Sequence, residues 1–175
     1  EFLDQVKGGT IPYQFIPAVE KGVREVLSMG AVAGYPVVDV RVIVYDGKHH
    51  SVDSKEIAFV TAGKKAFMLA MREARPVVLE PIVDIEINAP EAAIGDITGD
   101  IASRRGEVRA STSSGLGLGL VRARAPLAEL SGYQLRLNAL TRGEGRYTLA
   151  LSHYDPVPGN MQDEMVKKYQ VRDED

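Results

Sequence analysis

Cysteine is absent from this chain of 175 residues. That excludes disulfides and thiolate chemistry, and it fits a cytosolic, cytoplasmic protein. No apolar run approaches the roughly 18 residues of a membrane span. The opening EFLDQVKGG has no basic segment followed by an apolar one, so no signal peptide is expected. Its lack of an initiator Met predicts a processed chain or a piece of a longer one. No G-x-x-x-x-G-K-[ST] phosphate loop occurs. The glycine-rich GLGLGL at 115–120 also fails G-x-G-x-x-G, because position 120 is Leu, and it reads as a flexible hairpin entering a strand. An excess of positive charge is missing too: the formal net charge of −3 argues against a uniformly basic nucleic-acid binder.

What is present is globular in composition, with 45% hydrophobic and 26% charged residues, enough for one ordinary domain or two small ones. Charge is distributed unevenly. Residues 101–147 hold eight Arg against three Glu, while residues 155–175 hold six acids against three bases. Such a basic stretch is either a binding face or a solvated surface.

Hydrophobic spacing predicts a helix over 17–29, with Pro17 in its first turn and Gly30 as its stop, then a strand over 37–45. A second helix is expected from Ser54 to Ala74. Asp53 would be its N-cap, with Ile57, Val60, Phe67, Met71 and Ala74 inward and Gly63 as a weak point. The pattern changes at Pro76. The stretch IVDIEIN, 82–88, alternates as a half-buried strand in which Ile82 stands apart. A helix with Ile94, Ile97 and Ile101 inward follows, then two strands. A helix opening at Pro126 and a strand with Tyr147, Leu149 and Leu151 on one face complete the unit. The order β-α-β-β-α-β is the ferredoxin-like unit, an antiparallel sheet with both helices on one face. A short tail helix carries Met161, Met165 and Tyr169 on one side. The whole is α+β, with domains expected at 1–76 plus the tail helix 157–172, and at 77–155.

Two of the three histidines adjoin each other in DGKHHSVDS, residues Gly47, Lys48, His49, His50, Ser51, Val52, Asp53 and Ser54 after Asp46. Adjacent side chains on extended backbone point opposite ways, which disfavours a shared metal, and no second ligand cluster supplies a zinc site. Acid/base catalysis lacks a nucleophile or paired carboxylate. An exposed recognition loop leading into a helix N-terminus, where phosphate is favoured, fits better. At SRRG, 103–106, Arg104 and Arg105 either grip RNA phosphates or compensate a helix dipole.

Seven segments in register resemble the C-terminal region of elongation factor G: GGTIPYQFIPAVEKGV, AGYPVVDVRV, DGKHHSVDSKEIAF, ARPVVLEPI, GDITGDIASRRGEV, PLAELSGY and ALTRGEGRYTLALSHYDPVP. The resemblance covers essentially the whole chain. It implies that family's fourth domain, an α/β domain similar to one of a ribosomal small-subunit protein, followed by its ferredoxin-like fifth, with the final helix packing back on the fourth. It implies that DGKHHSVDS is the tip that enters the decoding region and contacts the A-site tRNA and mRNA, with His50 at the characteristic histidine position and His49 where an aromatic is usual. It also implies ribosomal RNA contacts near the stalk base, assigned to Arg104, Arg105 and Arg142. GTP and Mg would belong to a full-length parent, and the chain itself would have no catalytic residues, no metal, no cofactor and no membrane partner, and would be monomeric in isolation. Asn138 stands where the family usually has Arg, and SSGLGLG departs from the usual hairpin. The alternative is therefore a divergent paralogue in ribosome recycling or a regulatory role. A free-standing RNA-binding module and a small hydrolase using His50 complete the alternatives.

Overall fold

The computed structural model describes residues 1–50 and 54–173. The chain divides into two units, Glu1–Val78 with Pro158–Asp175, and Leu79–Val157.

The first unit opens with β1 (Phe2–Asp4), α1 (Ile16–Met29), β2 (Val42–Val44) and α2 (Glu56–Glu73). Pro17 presets the first turn of α1, and Gly30 at φ 89 ends it. Ile16 and Val19 share one apolar cluster with Phe59 and Val60, and Val23 and Val26 share another with Phe67 and Met71. Like halves meet, so α1 and α2 run in the same direction. Their backbones touch at glycines. A Cβ on Gly63 would stand 2.7 Å from the Val19 carbonyl oxygen, and Gly22 faces the Val60 carbonyl in the same manner. Gly63 is thus the crossing point of the two helices, which corrects its reading as a weak point. Ile57 (68% exposed) and Ala74 lie outside, because the buried stripe of α2 runs through Phe59 and Gly63. The helix begins at Glu56 with Lys55 as a cap that makes no side-chain bond. The expected cap, Asp53, lies outside the described residues.

Strands β1 and β2 pair in parallel, Phe2 opposite Val42 and Asp4 opposite Val44. The strand expected over 37–45 contracts to Val42–Val44, because its partner offers three residues and Asp39 at φ 57 breaks the extended run. The last helix, α5 (Gly159–Asp173), belongs to this unit. The Gln162 side chain accepts a hydrogen bond from the Val78 N–H (2.9 Å) and donates one to the Pro76 carbonyl (3.1 Å). The Tyr169 ring lies so close to Gly34 that a Cβ there would meet it at 2.8 Å.

The second unit runs β3 (Leu79–Pro90), α3 (Ile94–Ser103), β4 (Glu107–Ser113), β5 (Leu118–Pro126), α4 (Tyr133–Thr141) and β6 (Arg146–Pro156). Its antiparallel sheet has the order β4-β5-β3-β6, the ferredoxin-like arrangement. Val83, Ile85 and Ile87 alternate inward and meet Ile97, Ile101, Val121 and Leu137 in one core. A register shift between Ile82 and Val83 explains why Ile82 falls out of the alternation. The helix expected from Pro126 divides. Residues Leu127–Leu130 form a 3₁₀ turn, Gly132 takes φ 68, and only Tyr133 onward is α-helical. On β6, Tyr147 packs on the core, but Leu149 and Leu151 are 40% and 60% exposed, because β6 is an edge strand. Among the described residues, no helix is long and apolar enough to cross a membrane.

Candidate nucleic-acid interface

The histidine loop begins two residues beyond β2, in the first unit. The Asp46 carboxylate accepts the Gly47 N–H at 2.7 Å. Gly47 rests on Ile11, so closely that a Cβ would lie 2.5 Å from its Cδ1 and Cγ1. The His49 Nδ1 is 3.2 Å from the Thr10 carbonyl oxygen. A carbonyl only accepts, so Nδ1 carries the proton in this contact. The His50 N–H donates to Ser54 Oγ at 3.0 Å, closing the loop toward α2. Lys48, His49 and His50 are exposed, and Gly47 and Ser54 are half-buried. Ser51, Val52 and Asp53 lie outside the described residues. Among the described residues, no group of three or more His, Cys, Asp or Glu is placed to hold a metal ion. Sequence reasoning missed Thr10 and Ile11. They lie almost forty residues from the histidines, and the available signal was the Gly8–Gly9 turn that brings them round, each glycine at φ 68.

The arginines of the second unit divide into two kinds. Arg105, at φ 58, donates through Nη1 and Nη2 to both Glu80 oxygens (2.7 and 2.8 Å) and through Nε to Glu129 (2.9 Å). Its hydrogen bonds to Glu80 first, then the one to Glu129, hold its proton more tightly than usual against the opposing effect of burial. Arg104 donates to Asp100 (2.8 Å) and to the Glu129 carbonyl (2.7 Å), and its guanidinium lies 5.3 Å from the Tyr133 ring centroid. Arg136 reaches the other Asp100 oxygen at 2.7 Å. Burial pushes the Asp100 carboxyl pKa up, but the hydrogen bonds from Arg136 and then Arg104 outweigh it and leave it below the ordinary value. Burial pushes the Tyr133 hydroxyl up to about 12, helped by the charge of Asp100.

Arg142 is different. It caps α4 at φ 54, is exposed, and makes no ion pair among the described residues. It does not join the other two. Arg105 sits beside Glu80 near one end of β3, whereas the turn holding Arg142 leads into Arg146, opposite Asn88 near the other end. Eight residues of strand separate those ends, roughly 25 Å. Arg104 and Arg105 therefore lie at one end of the sheet and Arg142 at the other.

The open face of that sheet carries Asp84, Glu86 and Asn88 opposite Arg124, Arg122 and Arg146. Arg124 binds Asp84 and Arg122 binds Glu86, each at 2.7 Å. The hydrogen bond from Arg124 is the main cause holding the Asp84 carboxyl below its usual range. None of these positions is aromatic, so the face offers no rings for base stacking there. In the first unit, a shallow depression on the outer side of α1 is lined by Pro17, Glu20, Arg24, Glu25 and Met29. Its acids pair with Arg24 and Lys64, an arrangement for stability rather than proton transfer.

Residues 1–75 match the family profile described as Elongation factor G, domain IV, and residues 77–165 match that of the Elongation factor G C-terminus. Elongation factor G of Aquifex pyrophilus is 48% identical over 166 residues, 95% of this chain and 24% of that protein. A crystal structure of a Thermus thermophilus protein superposes with a TM-score of 0.76 at 39% identity, covering 97% of this chain and 26% of that one. The chain thus spans about a quarter of the length of the relatives it matches.

Proposed function

The chain belongs to the elongation factor G family, and on that footing we propose that it is the ribosome-interacting part of a translational GTPase that promotes tRNA–mRNA translocation in the cytoplasm. The loop containing His50 is the part that enters the decoding region. The observation that carries this reading is the exposed His50 ring on a loop anchored at both sides, by Thr10 and Ile11 before it and by Ser54 after it. Such a loop can press on a nucleic-acid duplex and exchange hydrogen bonds with it, with no covalent chemistry. GTP and Mg²⁺ belong to the remainder of a full-length parent, so the 175-residue chain is not itself the enzyme. In the second unit, Arg142 is a cation open to ribosomal RNA, and Arg146 is likewise exposed and without an ion pair among the described residues. Arg104 and Arg105 shape the end of the sheet from which they come, and their contact with RNA would be through that shape.

The test is His50→Ala in the full-length parent. Translocation in a single round slows, GTP hydrolysis is spared, and the melt moves by no more than about 0.5 kcal/mol. Wild-type translocation with an intact melt overturns the reading. A second reading, a paralogue in recycling or regulation, is favoured by Asn138, whose side chain here accepts from Gln134 at 2.8 Å. Failure to complement loss of elongation factor G would select it.

A further inference from the structure

We propose that the strap Thr10–Ile11 positions the histidine loop by clamping His49 and Gly47, so that His49 is held against the strap while the exposed His50 ring is left free. Two contacts of different chemistry converge on the loop from this strap. The apolar one is Ile11 on Gly47. Ile11 is only 7% exposed and belongs to the cluster of Ile16, Val19, Phe59 and Val60, so it is fixed to the core of α1 and α2. The polar one is the His49 Nδ1–H on the Thr10 carbonyl.

The strap is itself preset. Gly8 and Gly9, both at φ 68, turn the chain, and Pro12 at φ −58 restricts the residue before it. The His50 ring is exposed and makes no hydrogen bond among the described residues, so the tie to Thr10 holds one imidazole and leaves its neighbour free. Gly47 supports this from another direction. Its φ lies outside the left-handed region, so a side chain there is opposed by space and not by backbone conformation. The space is taken by Ile11. His49 is on these grounds a positioning residue, and a ring with a donor nitrogen in its place serves the loop's shape. The role of the shaped loop in translation rests on the function proposed above, but the clamp itself does not.

The test begins with imidazole ¹⁵N spectra of the 175-residue chain, recorded where histidines are neutral. His49 is expected to hold its proton on Nδ1, and His50 to show the Nε2–H preference of a free imidazole. Gly47→Ala should erase the His49 signature, because the new methyl group displaces Ile11. Adding Ile11→Ala to Gly47→Ala makes room again and should restore the signature, even though the melt falls. A wild-type His49 indistinguishable from His50, or a Gly47→Ala chain that keeps the signature with an unchanged melt, overturns the clamp. If Gly47→Ala fails to fold, His49→Phe replaces it. Losing the donor should then broaden the amide resonances of Lys48 and His50, and unchanged resonances overturn the clamp equally. In the full-length parent, Gly47→Ala is expected to slow translocation. Unchanged translocation with the spectroscopic clamp intact in wild type and lost in the variant counts against the proposed function and leaves the clamp standing.

Discussion

Arg105 grips both carboxylate oxygens of Glu80, at 2.7 and 2.8 Å, while its backbone is held at φ 58. A left-handed arginine is costly on its own, and this bidentate pair with Glu129 beside it is what offsets the cost. Arg105→Ala should therefore destabilise the chain by about 1–3 kcal/mol, since Glu80 is left buried without its partner. Arg105→Lys should recover only part of that, because an ammonium cannot make the fork. Equal melts for wild type and Arg105→Ala in urea titration would contradict it.

Gly63→Ala is expected to lower stability by about 1–3 kcal/mol, against the ordinary helix-propensity gain of about 1 kcal/mol. The methyl group would meet the Val19 backbone at 2.7 Å, and backbone cannot swing aside as a side chain can. Thermal unfolding decides the sign directly.

The ion cluster at Asp100 predicts a pH dependence. Its carboxyl pKa is lower in the folded chain than in the unfolded one, because Arg136 and Arg104 outweigh burial. The stability it contributes is present above the unfolded value of about 3.9 and is lost as pH falls through the folded value. Between about pH 6 and pH 2, Asp100→Asn should show a shallower fall in melting temperature than wild type. Parallel curves would exclude Asp100 as a cause of acid unfolding.

Arg142→Gly separates charge from strain. Glycine prefers the φ 54 that Arg142 adopts, so stability should hold or rise by up to about 1 kcal/mol. If this arginine meets ribosomal RNA, binding should weaken and the log–log salt slope should flatten by roughly one unit. Binding with an unchanged slope would assign Arg142 to the solvated surface.

Strand β3 was legible because one of its faces is buried, and Val83, Ile85 and Ile87 state that in a period of two. Strand β6 was legible in period but not in burial. Leu149 and Leu151 share the helix face, yet an edge position is a property of strand order, which no local pattern contains. The helix after Pro126 reads as continuous in the sequence for a related reason: Gly132 at φ 68 looks like any glycine until its neighbours fix the turn. For the candidate site, the loop's residues were readable and its supports were not. Thr10 and His49 are 39 residues apart, and Arg105 and Glu80 are 25 apart, so each pair exists only once the chain has folded.

The Gln162 side chain bonds to both Pro76 and Val78, yet the 79 residues from Leu79 to Val157 are synthesised between them. At about 5–20 residues per second a ribosome needs roughly 4–16 s to make that stretch. During that interval the Val78 N–H and the Pro76 carbonyl await their partner, and the Gly34 turn awaits Tyr169. The segment synthesised second can close its sheet first, because β3 through β6 are contiguous in the chain. The unit begun earliest is then the last to be finished, because Gln162 and Tyr169 are made only after the whole of β3 through β6.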